Sequence, residues 1–177
     1  MIPARSEIHL RKATADDVAA LRALYAASVE ALAPGLYNPD QIAAWSGHAS
    51  APAFAAFILD PLTLIAHDHQ QRVGFCGIEP TGHIASLYVH PEQGRRGIAT
   101  TLLCAALHRC PMPSDGHWSA EASLLSRPVF ARCGFAQVGV EQTEQNGVRF
   151  ERFLMRRDPG AHPCAFSGCR YEATLEP

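Results

Sequence analysis

Apolar residues recur along this chain with two periods, one near 3.6 and one of 2, and the switches between them mark out its elements. Val18, Leu21, Leu24, Tyr25, Val29 and Leu32 fall at helical spacing. A helix is therefore expected there, with Thr14 as its N-cap, Asp16 and Asp17 in the acidic first turn, and Pro34-Gly35 as its stop. Asn38-Pro39-Asp40 opens a second helix carrying Ile42 and Trp45, and Pro52 opens a third through Phe54, Phe57 and Ile58. Residues 8–11 form a short strand ahead of this helical segment.

From residue 62 onward the period is mostly 2. Residues 62–66 and 72–79 read as strands joined by a polar turn at 67–71, and residues 83–89 form the next strand. A helix over 98–108 presents Leu102, Leu103, Ala106 and Leu107 on one side and is closed by Pro111-Met112-Pro113. There follow a strand at 117–122, a short helix at 125–132, and a strand after Gly134 carrying Phe135, Val138 and Val140. Asn146-Gly147 is a strong hairpin turn into a last strand at 148–155. Strand, helical segment, three strands, helix, strand, helix and two strands is the order of a mixed α/β sheet with a central helical crossover.

Composition narrows the class. At 177 residues, with 47% hydrophobic and 18% charged positions, one globular domain with a sizeable core is expected. From residue 158 the composition turns to Pro, Gly, Cys and Ser, so the domain is placed at 1–157 and a loosely attached extension at 158–177. A net charge of −2, with no basic run beyond Arg95/Arg96 and Arg156/Arg157, gives no reason to expect a nucleic acid or an anionic membrane as partner. The first residues lack an apolar core of the signal-peptide kind, and no apolar stretch approaches the ~20 residues of a membrane span, so a cytoplasmic location is expected. The six cysteines lie on different elements and read as small buried hydrophobes rather than a disulfide framework. His162, Cys164 and Cys169 bring three soft ligands together without a fourth, and no metal is expected.

The candidate chemistry starts after the strand that ends at Val89. Pro91 stops that strand, and Gly94, Arg95, Arg96, Gly97 lead into the helix beginning near Ile98. Helix N-termini have unpaired N–H groups and the positive end of the macrodipole, so anions settle there. Gly94 and Gly97 are expected to adopt positive φ and let a ligand approach, with the two arginines adding charge at the rim. By spacing alone the segment reads equally as a pyrophosphate cradle or as a plain strand-to-helix turn.

In context this segment resembles motif A of the GNAT superfamily of acetyl-CoA-dependent N-acetyltransferases, where a Val-x-Pro strand end leads into Gln/Arg-x-x-Gly-x-Gly/Ala. Val89, Pro91, Gly97 and Ala99 match; the first signature position falls on Gly94, with Gln93 one residue early. Downstream, the stretch from Ser123 to Phe135 resembles motif B, Asn-x-x-Ala-x-x-x-Tyr-x-x-x-Gly-Phe, with Ser123, Ser126 and Phe130 at the Asn, Ala and Tyr positions and Gly134-Phe135 intact. With Tyr37, Gln41 and Trp45 upstream, the chain looks like a bacterial GNAT subgroup of undefined substrate.

The resemblance covers about residues 8–157. It implies a single-domain GNAT fold, a mixed and mostly antiparallel seven-stranded sheet with splayed central strands and flanking helices. It also implies acetyl transfer from acetyl-CoA to a small-molecule or peptide amine in a ternary complex. In that reading Leu87, Tyr88 and Val89 pair with the pantetheine arm, with the Val89 N–H as oxyanion donor, and Gly94, Arg95, Arg96, Gly97, Ile98, Ala99 and Thr100 hold the pyrophosphate. Ser123 and Phe130 flank the cofactor.

For the base, His83 ranks first, with Glu79 and Glu121 next; for the acid, Phe130 leaves the role open and Tyr88 is the nearest alternative. Tyr37, Trp45 and Phe54 are expected in the acceptor pocket, although aromatics at helical spacing also read as core. A second reading is a CoA-binding sensor or partner module without efficient turnover. The sequence leaves the oligomeric state open, a homodimer included.

Overall fold

Asp17, expected in the acidic first turn of a helix, is the buried joint of the N-terminal region in a computed structural model of the chain, which describes residues 8–69, 71–110, 113–114 and 116–160. Its carboxylate accepts from both Arg11 terminal nitrogens at 2.7 Å, from Arg72 Nε at 2.7 Å, and from the Thr14 N–H and hydroxyl at 2.9 and 3.1 Å. Thr14 is the N-cap of the 3-10 turn that leads into the first helix, and its N–H and hydroxyl both donate to Asp17. The Arg11 hydrogen bonds hold this carboxyl well below the usual range, against the opposing effect of burial. One side chain thereby ties strand β1 (Ile8–Lys12), a 3-10 turn (Ala15–Asp17), helix α1 (Val18–Leu32) and strand β3 (Gln71–Ile78) together.

Helices α2 (Pro39–Gly47) and α3 (Phe54–Leu59) complete the first helical layer. Asn38 caps α2 by accepting the Gln41 N–H at 2.9 Å, and Gln41 Oε1 accepts the Asn38 N–H at 3.1 Å. Strands β2 (Leu62–Asp68), β3 and β4 (Ile84–Val89) then form an antiparallel sheet in the order β1-β2-β3-β4. Helix α4 (Ile98–Arg109) crosses over to β5 (Trp118–Ala122), and α5 (Arg127–Arg132) leads to β6 (Ala136–Gln145) and β7 (Val148–Arg157). These last strands pair in the order β5-β7-β6, again antiparallel.

All seven expected strands are present, hydrogen-bonded as two sheets. β4 and β5 run parallel and are joined by one isolated bridge, His83 to Ser119. Beyond that bridge the strands part, and Val29, Trp45 and Leu125 line the gap. This splay is what makes room for a site.

Both faces of the first sheet are covered, which explains its nearly continuous apolar runs. Leu64, Ala66 and Cys76 face α4, while Ile65 and Phe75 face α1 and α3 with Leu21, Tyr25, Phe54 and Ile58. Each fully buried Phe or Leu contributes roughly 1.5–3 kcal/mol of transfer free energy. Gly74 sets the distance to α4: a Cβ there would lie 2.9 Å from the Tyr88 carbonyl oxygen and 3.1 Å from Leu102 Cδ1.

β6 is an edge strand, so Val138 and Val140 are exposed and only Phe135 ahead of it enters the core. Asn146 and Gly147, with φ of 52° and 78°, make the expected hairpin turn. The hairpin tip is strapped to α2, with Gln41 Nε2 donating to the Arg149 carbonyl at 2.9 Å and Gln145 Nε2 to the Ala44 carbonyl at 3.2 Å.

Cys76, Cys104, Cys110 and Cys133 are buried thiols, as the scattered pattern suggested. β7 ends at Arg157, and His162, Cys164 and Cys169 lie outside the described residues, as does the extension from 161 onward. Among the described residues no helix is long and apolar enough to cross a membrane.

Candidate active site

The turn into α4 differs from expectation at one glycine. Gly94 has φ −58°, an ordinary value, and a Cβ there would meet only the Pro91 carbonyl oxygen at 3.5 Å. The positive φ values belong to Arg95 at 63° and Gly97 at 81°. Gly97 is the N-cap of α4, so the left-handed residue sits where the helix dipole and its unpaired N–H groups converge. Ile98 and Thr100 turn their side chains into the core, leaving only backbone to face outward there, while Ala99 lines the adjoining cavity. Arg96 braces the turn by donating to Asp68 at 3.0 Å and to Gln93 Oε1. Arg95 is exposed at the rim.

The ladder phase decides which backbone groups of β4 face the splay. The His90 N–H donates to the Val73 carbonyl at 2.8 Å, and in an antiparallel ladder hydrogen-bonded pairs alternate. With Phe75 opposite Tyr88 and Gly74 opposite Val89, Tyr88 spends its backbone on β3. Leu87 and Val89 turn theirs to the open edge. Of the three residues expected to pair with a ligand there, two present backbone and Tyr88 presents its side chain. A cavity of about 240 Å³ lies along this edge, walled opposite by Ser123, Ser126, Val129 and Phe130.

A second cavity of about 500 Å³ opens beside it, and the two share Trp45, Tyr88, Glu121 and Ser123. At the junction His83 Nε2 lies 3.2 Å from Glu121 Oε2, and His83 Nδ1 lies 3.2 Å from Ser119 Oγ. The bridge between His83 and Ser119 creates this cluster, because it sets Glu121 two residues on, on the same face of β5. The hydrogen bond to Glu121 raises the His83 pKa above its ordinary value despite burial, and the same bond lowers that of Glu121. Such a pair titrates as a unit and can hold or pass one proton.

The aromatic wall is one connected set. Trp45 Nε1 donates to the Tyr88 hydroxyl at 3.2 Å, Tyr25 packs against Tyr88 with centroids 4.4 Å apart and the rings tilted by 46°, and Tyr37 meets Trp45 edge-on at 5.3 Å. Burial is the main cause that raises the pKa of all three tyrosines.

Two expected site residues stand elsewhere. Phe54 is 0% exposed and belongs to the core behind Phe57, since α3 turns it toward Tyr25 and Ile58. Glu79 stays in the β3–β4 turn, where it accepts the Thr81 hydroxyl at 3.2 Å and lines neither cavity.

Several lining groups had no signal in the sequence. Glu144, Glu151 and Arg152 reach the larger cavity from the β6–β7 hairpin, and His48 reaches it from the end of α2. Isolated charges in alternating strands look like solvated positions until the hairpin is folded over α2. Ser119 was likewise visible only as a strand residue.

A family profile described as acetyltransferase (GNAT) domain matches residues 35–156. Over 155 residues the chain is 30% identical to the uncharacterised N-acetyltransferase YafP of Escherichia coli (strain K12), spanning 87% of this chain and 98% of that one. A GCN5-related N-acetyltransferase from Rhodopseudomonas palustris superposes with a TM-score of 0.79 at 31% identity, over 86% of this chain and 96% of that one. The PaiA N-acetyltransferase of Thermoplasma acidophilum, solved in complex with coenzyme A, shares the fold with a TM-score of 0.66 at 21% identity, over 86% and 99% of the two chains.

Proposed function

The chain belongs to the GNAT acetyltransferase family and is an acyltransferase, and we propose that it moves the acetyl group of acetyl-CoA to an amine by direct attack in a ternary complex. The observation that carries this reading is the meeting of two cavities at Glu121, whose carboxylate is hydrogen-bonded to His83. One cavity suits a thioester arm and the other an amine.

Acetyl-CoA, when bound, supplies the activated carbonyl and a thiol leaving group. The unpaired edge of β4 and the left-handed Gly97 at the start of α4 fit such a molecule. The backbone N–H groups of residues 98–100 hold the pyrophosphate, with Arg95 adding charge from the rim. The Leu87 and Val89 N–H groups bind the arm, and Val89 offers its donor to the developing oxyanion. The Glu121–His83 pair takes the proton that the amine loses, and Ser119 fixes the ring by its hydrogen bond to Nδ1.

Among the described residues no cysteine lines either cavity, which supports direct attack over a covalent intermediate. Glu121, Glu144 and Glu151 beside the Tyr37, Trp45 and Phe150 rings support a cationic acceptor with an apolar or aromatic body.

The absence of a hydroxyl at Phe130 favours one other reading, a CoA-binding sensor. A calorimetric CoA titration, run beside thiol release from acetyl-CoA with arylalkylamines, diamines, amino-acid amides and a short peptide, separates the two. Binding with turnover of at least one amine is expected. Binding without turnover of any of them supports the sensor, and failure of CoA to bind refutes both.

A further inference from the structure

Three glutamates line the larger cavity, yet a cation lines it too. Arg152 is the one arginine or lysine among the described residues that line either cavity. Strand register decides where its side chain goes. Glu121 stands opposite Leu154 across β5 and β7, and Glu141 stands opposite Arg152 across β6 and β7. Alternation along a strand therefore puts Phe150, Arg152 and Leu154 on the sheet face that carries Glu121 and Ser119. Burial follows the same alternation: Phe150 is buried and Arg152 half-buried, while Arg149 and Glu151 between and beside them are exposed. Arg152 thus belongs to the wall that holds the His83–Glu121 pair, and its charge lowers the pKa of both.

The guanidinium is only partly used. Nη2 donates to Glu141 Oε2 at 2.6 Å, and Nε is shut off from solvent with no acceptor. A guanidinium carries five N–H donors in a planar fork that matches a carboxylate. Glu141, on the edge strand, keeps 44% of its side chain in solvent, so its hold on Arg152 is that of a screened surface pair. A carboxylate entering the cavity therefore meets a cation with donors to spare. The sheet also sets its distance from the base, because Glu121 and Arg152 are diagonal neighbours on adjacent strands, about 7–8 Å apart. Two charge-assisted hydrogen bonds of about 2.8 Å take up most of that span. What remains fits an amine and a carboxylate separated by one carbon.

We propose that Arg152 binds the carboxylate of the acceptor, and that the acceptor is a free α-amino acid with an apolar or aromatic side chain, its amine at Glu121. This rests on the reading of the splay as an acetyl-CoA site. The Tyr37, Trp45 and Phe150 rings in the same cavity receive the side chain. Transfer forms the amide bond at the α-nitrogen and breaks the C–S bond, giving the N-acetyl amino acid and CoA. The amine proton leaves through Glu121–His83 to solvent, and the departing thiolate takes one from solvent.

The test follows thiol release from acetyl-CoA with matched acceptors: phenylalanine, phenylalanine amide and phenethylamine, and the corresponding leucine and methionine sets. The amide and the amine share the body of the acid and lack its negative charge. The readout is the acid-to-amide ratio of kcat/KM in the wild-type chain, in Arg152→Gln and in Glu141→Gln. Comparing one ratio across the three chains cancels the different basicities of the two acceptors and any change in the His83–Glu121 pair, which serves both. Arg152→Gln should lower the ratio about tenfold or more, with the loss in the KM of the acid. Glu141→Gln removes the competing carboxylate and should raise the ratio about two- to fivefold. Arg152→Gln decides where it folds, and Glu141→Gln decides in its place where it does not.

A ratio that the deciding variant leaves unchanged would overturn the proposal. So would wild-type turnover of the amides or amines with none of any free amino acid. Either result leaves the acetyltransferase reading standing. CoA binding without thiol release for any acceptor, or no CoA binding, is a separate result that removes that reading and this assignment with it.

Discussion

Replacing Gly97 by alanine sets the backbone of the cradle against the side chain. Gly97 caps α4 at φ 81°, ψ 4°, a left-handed conformation that costs an L residue with a Cβ roughly 1–2 kcal/mol. At roughly 2–4 °C per kcal/mol for a domain of this size, the melting temperature should fall by about 2–8 °C if the conformation is kept. If the backbone flips to relieve the strain, the N–H groups of residues 98–100 rotate away from their common focus. CoA affinity should then drop at least about tenfold, since losing one charge-assisted hydrogen bond to a phosphate exceeds the 1.4 kcal/mol that a factor of ten requires.

Gly94→Ala is the matched control. With φ −58° and its nearest obstacle 3.5 Å from the added Cβ, it should melt and bind like the wild type. Thermal unfolding and calorimetric CoA titration of both variants are the assays. The reasoning fails if Gly97→Ala retains both wild-type stability and wild-type affinity, or if Gly94→Ala loses as much as Gly97→Ala.

Two further outcomes follow from titrating groups. The proposed base must be unprotonated to act, so kcat/KM should rise with pH through a His83 value above the ordinary one, and Glu121→Gln should move this acid limb to lower pH while cutting the rate about 100-fold. Burial, the largest influence left, favours the neutral ring; a limb that stays in place removes the pair from the mechanism. Asp17→Asn should destabilise the fold by about 3 kcal/mol in denaturant, at the low end for a broken buried ion pair because Arg11 and Arg72 keep some solvent contact. Because the folded Asp17 pKa is lowered, its contribution is present above the unfolded value of about 3.9 and is lost as pH falls toward the folded one, so wild-type and variant stabilities should converge in acid. Parallel stability curves down to low pH would contradict this.

The elements were legible because each rests on local physics. The Asn146-Gly147 turn, the Asn38 cap of α2 and the apolar spacing of α1 and α4 need no distant partner to be recognised. Val89 was likewise placed correctly at the end of its strand, and Gly97 and Ala99 at the start of the crossover helix, because the strand-proline-glycine-helix order is a short-range pattern. Gly94 misled because glycine permits positive φ without requiring it, and here Arg95 takes the left-handed position instead. Phe54 misled for a related reason: a three-residue spacing puts two aromatics near one face, and packing against Tyr25 decided that Phe57 lines the cavity while Phe54 is buried.

The sequence by itself determined the seven strands, the helices and the glycine turn into α4, since hydrophobic period and turn chemistry act within a few residues of chain. It also supplied His83, Glu121 and Tyr37 as separate candidates. Only the tertiary structure decided that the sheet divides between β4 and β5, that His83 and Glu121 share a hydrogen bond at the junction of two cavities, and that the Tyr37 hydroxyl accepts the Leu124 N–H from 87 residues further along the chain. Those pairings depend on strand register and on the packing of the helical roof. Both are set by the summed burial of many side chains, so no local stretch of sequence encodes them.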